Sequence, residues 1–333
     1  MPEDAVYSFI VPLTCEGVGI RDFLRDYLPL EPPEFIRALV ADGVVQVNGT
    51  RCSLRRKLAA GDAVAVPKLD DLRAGFKTRT IPASVLYEDA HILVLDKPAG
   101  CTVVRRRNQQ HCAFQNGVLD YLRRSPDAFS TAMRDHYRPR ALNRLDQDTT
   151  GAMLEAKTRA GELHVAAQIQ ARSARKEYLA VVRGEVSDDG GTIEEPIGPV
   201  PGDISRMAVG ARSGKHALTE YAVVERFRGF TLARAILHTG RRHQIRLHFA
   251  QIGHPVLADA LYGGGEAFRL SSVKRGYRHH EGREERPLLA RSALHAASIA
   301  FVPVGAEAPI RVEAPLPGDM SVLLKQLRRW AAK

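Results

Sequence analysis

Apolar residues near the start of the chain first recur at helical spacing and then form short runs typical of strands. Ile20–Tyr27 and Phe35–Ala41 have apolar positions at helical spacing. The apolar runs 44–47 and 62–66 follow, and the first of them is closed by an Asn-Gly pair, a strong signal for a tight turn. Residues 16–66 are therefore predicted to form a separate small α+β unit.

A polar stretch without periodicity follows this unit. Residues 67–80 contain proline, glycine and several charges, which is typical of a connection, and we place the linker at 71–80. Beyond it, strand-like runs are separated by turn signals with few regularly spaced helices, so a doubly wound parallel sheet is not expected. We predict an α+β chain with a small domain over 1–70 and a large, mainly antiparallel mixed sheet with flanking helices over 81–333. The predicted strands of the large domain are Ile92–Leu95, Ala152–Ala156, Tyr178–Val182, Ala217–Glu225 and Leu232–His238.

The charge of the chain favours a polyanionic partner. Lys and Arg number 48 against 38 Asp and Glu, which gives a formal net charge of +10. This excess favours nucleic acid first and an anionic membrane surface second, and a merely basic protein is the plain alternative. Clustered arginines favour phosphate, because the planar guanidinium matches phosphate geometry. No apolar stretch approaches the length needed to span a bilayer, so no membrane partner is expected.

The cysteines and the amino terminus favour a reducing cytoplasm. The 4 cysteines stand at irregular spacings without a CxxC pair, which argues against a disulfide framework and against a zinc site. The first residues are acidic where a signal peptide requires basic ones. We expect a cytoplasmic protein that acts as a monomer.

The segment Arg140–Gly151 carries two carboxylates just before an apolar strand. Asp146 and Asp148 lie on the predicted loop, and loops on a rigid scaffold commonly hold reactive groups. Arg144 can bind a phosphate or pair with an acid. Taken alone, this segment is explained better by an ordinary turn with Asp and Thr in their usual positions.

The segment His238–His254 is rich in histidine and arginine and predicts a helix. Thr239 or a neighbour is expected to cap a helix that runs to Gly253. On that helix Arg242 and Arg246 would share one face, because they are four residues apart.

The histidines of this segment invite a metal-site interpretation, which their spacing disfavours. His243 and His248 are five residues apart, which turns them about 140° from each other around a helix. Helical zinc motifs use spacings that keep the ligands on one side. No metal is expected, and no glycine-rich phosphate loop indicates a nucleotide or another cofactor.

A third segment, Arg175–Glu185, begins with a basic cluster and continues as a predicted strand that carries Tyr178. A tyrosine at the start of a strand usually belongs to the core or its rim. It can also stack on a base and use its hydroxyl in hydrogen bonding or proton transfer.

Together these segments resemble the RluA-type pseudouridine synthases. The family motif R-L-D-x-x-T-S/T-G is matched at Arg144–Gly151, K-x-Y at Lys176–Tyr178, and G-R-x-H-Q-I-R at Gly240–Arg246. Further segments resemble family elements in the family's order: Tyr87–Gly100, His254–Gly263 and Leu294–Ala296.

The chain departs from the family pattern at three positions beside these motifs. Asn143 stands where His is most common, Thr150 where Ser is usual, and Asp96 where Asn is common before Lys-Pro. None of them replaces the aspartate of the motif. They bear on the detail of the site and on the substrate more than on the reaction.

The resemblance implies a pseudouridine synthase fold and an enzyme that isomerises uridine in structured RNA. It implies Asp146 as nucleophile, Arg246 as its ion-pair partner, and Tyr178 packed against a uracil flipped out of its stack. It implies no cofactor. The RNA-binding residues expected around the site are Arg144, Lys176, Arg241, Arg242, His243 and Gln244.

The small domain over 1–70 resembles an S4-like RNA-binding module in the stretch 16–66. An ordinary small α+β domain is the plain alternative. The resemblance implies a domain that supplies affinity and choice of site but no catalytic group. Its expected phosphate contacts are Arg51, Arg55, Arg56 and Lys57.

The substrate and the class of protein leave alternatives open. An S4-like module beside this catalytic domain is more typical of the family's ribosomal-RNA enzymes, so large-subunit ribosomal RNA is expected first and transfer RNA second. A ribosome-associated RNA-binding factor that lost the chemistry would lack the aspartate, tyrosine or arginine, and all three are present. A glycosidase built on Asp146 and Asp148 fits poorly, because its two carboxylates must flank a sugar from opposite sides.

Overall fold

The computed structural model describes residues 7–75, 84–103, 114–278 and 284–333. The chain forms two compact units. The first comprises the described residues of 1–83, 104–140 and 156–159, and the second those of 84–103, 141–155 and 160–333. The segment 114–140 thus groups with the amino-terminal residues, whereas the sequence placed it in the domain over 81–333. Part of the expected linker, 76–80, lies outside the described residues.

The first unit is a small antiparallel sheet with helices. Its strands pair in the order β1-β4-β2-β3. Their apolar side chains form one core with those of the helices, among them Phe23, Phe35 and Val64. The elements are β1 (Tyr7–Ile10), α1 (Ile20–Tyr27), α2 (Pro33–Ala41), β2 (Gln46–Val47), β3 (Thr50–Arg51), β4 (Ala63–Val66), α3 (Leu69–Gly75), α4 (Phe114–Arg123) and α5 (Pro126–Arg134).

Two local predictions for this unit have different outcomes. The turn between β2 and β3 is confirmed, because Asn48 and Gly49 both have positive φ, 52° and 76°. The prediction of an aperiodic connection over residues 67–80 is wrong in its first part, where the helix α3 forms. Leu69 is buried in the core and Leu72 packs against it, so tertiary contacts stabilise a helix too short to show a period.

The rest of the chain builds one large sheet. Ten strands of the described chain belong to it, and eight follow the order β10-β13-β14-β9-β15-β8-β6-β5, while β16 pairs with β15 and β7 with β8. Strands β11 and β12 form a separate hairpin. The elements are β5 (Ser84–Glu88), β6 (Ile92–Lys97), β7 (Arg140–Ala141), β8 (Thr150–Ala156), α6 (Arg159–Gln170), β9 (Arg175–Arg183), β10 (Gly190–Glu194), β11 (Ile197–Val200), β12 (Asp203–Val209), β13 (Leu218–Phe227), β14 (Phe230–Leu237), α7 (Gln244–Gln251), β15 (Leu294–Phe301), β16 (Ile310–Glu313) and α8 (Gly318–Trp330).

Strand β15 occupies the middle of this sheet although it comes late in the chain. It pairs with β9 in antiparallel and with β8 in parallel orientation. The mixed sheet with flanking helices confirms the predicted α+β class, and β6, β8, β9, β13 and β14 confirm the predicted strands. In the described ranges, no helix combines the length and the apolar character needed to cross a bilayer.

Helix α7 begins later than the sequence predicted. It starts at Gln244, and the preceding His243 has a left-handed φ of 59°. Thr239 does not cap it: its hydroxyl accepts from the Leu218 amide and donates to the Gln244 side chain. Arg242 therefore precedes the helix, and the prediction that it shares a helical face with Arg246 is wrong.

Candidate active site

An open cleft lies in the second unit, where the loop before β8 faces β9 and the turn before α7. It brings together the three segments that the sequence singled out. Its lining residues are Arg144, Leu145, Asp146, Thr149, Tyr178, Leu237, Arg241, His243, Gln244, Ile245, Arg246 and Leu294.

The loop that carries Asp146 is anchored by a buried lysine. The ammonium of Lys97 is fully buried and donates to three backbone oxygens, those of Pro98 at 2.9 Å, Gln147 at 3.0 Å and Thr149 at 2.8 Å. Burial lowers the pKa of Lys97, but three acceptors match the three hydrogens of an ammonium group. Lys97 thus fixes the backbone on the carboxyl side of Asp146.

A second anchor reaches the same loop from the carboxyl-terminal part of the chain. Arg291 donates to the Asp148 carbonyl oxygen at 3.0 Å and forms two hydrogen bonds with Asp319, of 2.7 and 2.8 Å. Immediately after the loop, Gly151 has a φ of +107°, and a Cβ there would lie 2.2 Å from the Ala296 oxygen. Only glycine fits this close approach.

The departures from the family pattern keep polar roles in the structure. Asn143 accepts from the Leu154 amide at 2.7 Å and donates to the Ala152 oxygen at 3.2 Å, so it ties the loop to β8. Thr150 Oγ1 lies 2.9 Å from Nδ1 of His295. Asp96 is half-buried, and burial raises its pKa.

Two aspartates hold the guanidinium of Arg246. Asp259 accepts from Nε at 2.6 Å and from Nη2 at 2.8 Å, while Asp146 Oδ2 accepts from Nη1 at 3.2 Å. Burial alone would lower the pKa of Arg246, but the hydrogen bonds and charges of the two carboxylates raise it. The bidentate pair with Asp259 fixes the plane of the fork, which leaves one donor directed at Asp146.

Tyr178 contributes a buried phenol to the cleft. Burial and, to a smaller extent, the charge of Asp146 raise its pKa, so the hydroxyl stays protonated at neutral pH. The ring offers an apolar face and the hydroxyl a polar tip in the same cleft as the Asp146 carboxylate.

Three of the residues expected to contact RNA near the site are buried: Gln244, Lys176 and His243. Gln244 is 2% exposed, and its amide donates to the Leu218 oxygen and to Thr219 while its oxygen accepts from Arg241 and Thr239. It therefore supports the turn before α7 while it also lines the cleft. Lys176 is 8% exposed, and burial lowers its pKa.

The three arginines expected at the site and His243 are accessible in different degrees. Arg144 is exposed, and Arg241 and Arg242 are half-buried. Arg241 donates to the His216 oxygen, and Arg242 donates to the Ser205 oxygen on β12. His243 is buried and lies beside Asp146, with 3.9 Å between Nε2 and Oδ1.

The predicted phosphate contacts of the first unit lie at the end of β3 and in the segment that follows it. Arg51, Arg55, Arg56 and Lys57 are all exposed. Only Arg56 of the four has an acidic partner described, Asp62, at 3.0 Å. For the part of the chain that the structure describes, no group of three or more metal-ligating side chains comes together.

Several supporting residues were missed at the sequence level. Lys97, Asp259 and Tyr262 received no role, although each lies in a segment that resembles the family. Arg291 stands just before such a segment. Their position in segments that resemble the family was the signal that could have identified them. Their hydrogen-bond partners are distant in the sequence, so the sequence alone did not indicate what they contact.

The sequence is similar to those of known pseudouridine synthases over nearly its whole length. A family profile described as RNA pseudouridylate synthase matches residues 91–251. A protein of Xanthomonas campestris pv. campestris named ribosomal large subunit pseudouridine synthase D is 35% identical, over 99% of this chain and 95% of that protein. A protein of the same name from Pseudomonas aeruginosa is 34% identical, over 96% and 95%. The solved structure of human RNA pseudouridylate synthase domain containing 4 shares the fold, with a TM-score of 0.51 and 20% identity over 74% of this chain and 93% of that one.

Proposed function

The chain belongs to the RNA pseudouridylate synthase family and is a pseudouridine synthase, and from this premise we propose that it modifies large-subunit ribosomal RNA with Asp146 as its nucleophile. One observation carries the assignment of the nucleophile. Asp146 is the carboxylate that shares a cleft with the phenol of Tyr178 and accepts a hydrogen bond from Arg246.

The reaction needs a positioned carboxylate and no redox chemistry. The N1–C1′ bond of uridine breaks, the uracil turns, and a C5–C1′ bond forms, while C5 releases a proton and N1 takes one up. A carboxylate serves this exchange by attack at C6, by attack at C1′, or by assisting a glycal route. In each case Arg246 orients the carboxylate, and the ring of Tyr178 lies where a flipped uracil would pack.

The ribosomal substrate rests on the relatives and on the charge. Relatives named ribosomal large subunit pseudouridine synthase D align with 99% and 96% of this chain. The alignments therefore extend over both of its compact units. The net charge of +10 supplies the attraction to folded RNA from which a base must be extracted.

We expect a strain that lacks this gene to lose pseudouridine at specific uridines of large-subunit ribosomal RNA. Mapping at single-nucleotide resolution in ribosomal and transfer RNA measures this, and the wild-type gene should restore the modification. Loss confined to transfer RNA would establish the second substrate class instead. No loss in either RNA would indicate a binding factor without activity.

We also propose that the first unit is an S4-like RNA-binding domain whose four exposed cations, Arg51, Arg55, Arg56 and Lys57, contact phosphates. Replacing all four with glutamine should flatten the slope of log affinity against log salt by about three, because each neutralised phosphate contributes about 0.7–0.9 to that slope. Turnover at saturating RNA should be retained, because Asp146, Tyr178 and Arg246 belong to the other unit.

Substitution is preferable to deletion here, because residues 1–83 share a compact unit with 104–140. A matched control replaces the exposed, uncharged Thr50 and Ser53 of the same region with alanine and should leave the slope unchanged. An unchanged slope in the glutamine variant would mean that these cations do not contact RNA phosphates. Lost turnover at saturation in a folded variant would contradict the division of roles between the units.

A further inference from the structure

His243 has surroundings unlike those of a phosphate contact. It is 8% exposed and stands in a left-handed conformation, with φ 59°, immediately before α7. Few residue types other than glycine adopt this conformation readily, and histidine is one of those enriched there. The backbone thus turns the imidazole inward, with one ring nitrogen toward Tyr262 and the other toward Asp146.

The contact with Tyr262 indicates which ring nitrogen carries the proton. The Tyr262 hydroxyl oxygen accepts from the Met207 amide at 3.0 Å and lies 2.7 Å from Nδ1 of His243. Burial raises the pKa of Tyr262, so its proton is present at neutral pH. Since the hydroxyl oxygen already accepts from the Met207 amide, we infer that the hydroxyl donates its proton to His243 Nδ1, which leaves Nδ1 unprotonated.

The contact with Asp146 selects the same tautomer. Nε2 lies 3.9 Å from Oδ1, whereas Arg246 holds the other oxygen, Oδ2, at 3.2 Å. A carboxylate oxygen only accepts hydrogen bonds, so the nitrogen facing it is favoured as N–H. Burial lowers the pKa of His243 to about 4, so at neutral pH the ring is neutral and carries a single proton. Both neighbours place that proton on Nε2.

We propose that His243 is a positioning residue for Asp146, with Tyr262 fixing the Nε2–H tautomer. The distance of 3.9 Å is too long for a hydrogen bond in the free enzyme. Such contacts often tighten when substrate binds. Once the N–H reaches Oδ1, both carboxylate oxygens are held and the group cannot rotate about its Cβ–Cγ bond. The same lone pair then faces the reacting atom in every turnover. This inference rests on the proposed role of Asp146.

Variants of His243 separate positioning from RNA binding. In His243→Ala we expect kcat to fall by about 100-fold, as for the loss of one directed donor, with the KM for RNA within about twofold. His243→Gln places an amide donor near the position of Nε2 and should retain kcat within about fivefold of wild type. His243→Asn places its donor near Nδ1 instead and should be as slow as the alanine variant.

The asparagine variant also controls for the backbone. Asparagine tolerates a left-handed φ better than glutamine does. If strain of the backbone lowered activity, the glutamine variant would therefore be the slower of the two. The opposite order is expected here, and backbone strain cannot produce it. Tyr262→Phe removes the hydroxyl but keeps the ring that lies against Arg246. We expect its kcat to fall by about tenfold, since the tautomer is no longer fixed. A raised KM with unchanged kcat in His243→Ala would overturn the proposal in favour of an RNA contact.

An independent measurement reads the tautomer without activity. Nitrogen NMR of the full-length protein labelled at histidine, with the His243 signals identified from the glutamine variant, should show Nε2 protonated and Nδ1 unprotonated at neutral pH. In Tyr262→Phe this preference should weaken. A protonated Nδ1 in the wild-type protein would overturn the proposal. Full activity of Asp146→Ala beside the expected spectrum would instead identify the assignment of the nucleophile as the error.

Discussion

Replacing Asp146 with alanine or asparagine is expected to abolish isomerisation while leaving RNA affinity within about tenfold, or about 1.4 kcal/mol. The carboxylate is half-buried in the cleft, where it accepts a hydrogen bond from Arg246, and as an anion it makes no attractive contact with RNA phosphates. Release of tritium from RNA that contains 5-tritiated uridine measures turnover, because the C5 proton leaves during the reaction. Filter binding on the same RNA measures affinity.

Asp148 provides a matched control for this prediction. It lies two residues away on the same loop, and its side chain is exposed. Asp148→Asn should therefore retain turnover close to that of the wild-type protein. Appreciable tritium release by Asp146→Ala would contradict the assignment of the nucleophile and the mechanism with it.

Replacing Arg246 with alanine is expected to reduce both stability and turnover. The change leaves the buried Asp259 without its cation, and breaking a buried pair in this way costs about 3–5 kcal/mol of unfolding free energy. It also removes the donor to Asp146 Oδ2, so kcat should fall by about 100-fold or more. Chemical denaturation and tritium release measure the two effects separately.

A second substitution distinguishes the two effects of Arg246. Adding Asp259→Asn to Arg246→Ala removes the unpaired buried charge and should restore part of the lost stability. Activity should stay low, because Asp146 Oδ2 then lacks the guanidinium donor that orients it. If activity returned together with stability, Arg246 would act only by supporting the fold.

The elements that the sequence predicted well are those whose own side chains form the core. The apolar positions of α1 bury Phe23 and Leu24, and the helix has the bounds that its period indicates. The buried strand β8 is equally clear from its apolar run. By contrast, α3 is stabilised by contacts of Leu69 with distant residues, and α7 starts late because His243 takes a backbone conformation that hydrophobic spacing does not reveal.

The residues of the candidate site likewise fall into those that the sequence indicated and those that it did not. Motifs indicated Asp146, Tyr178 and Arg246, and these three line one cleft. The burial of Gln244 and the ion pair of Asp259 depend on the turn before α7, whose conformation was not predicted. A sequence motif identifies residues that act together but not which of them face the substrate and which support the others.

The position of β15 in the sheet has a consequence for how the enzyme matures. Thr150 and His295 are 145 residues apart in the chain, yet they meet where β8 and β15 pair. Closing so long a loop is slow, and contacts of this kind form late in folding. During synthesis, the loop with Asp146 leaves the ribosome long before Arg291 and β15 exist to hold it. The loop that carries Asp146 is therefore complete only after the residues of β15 have been synthesised and have paired with β8.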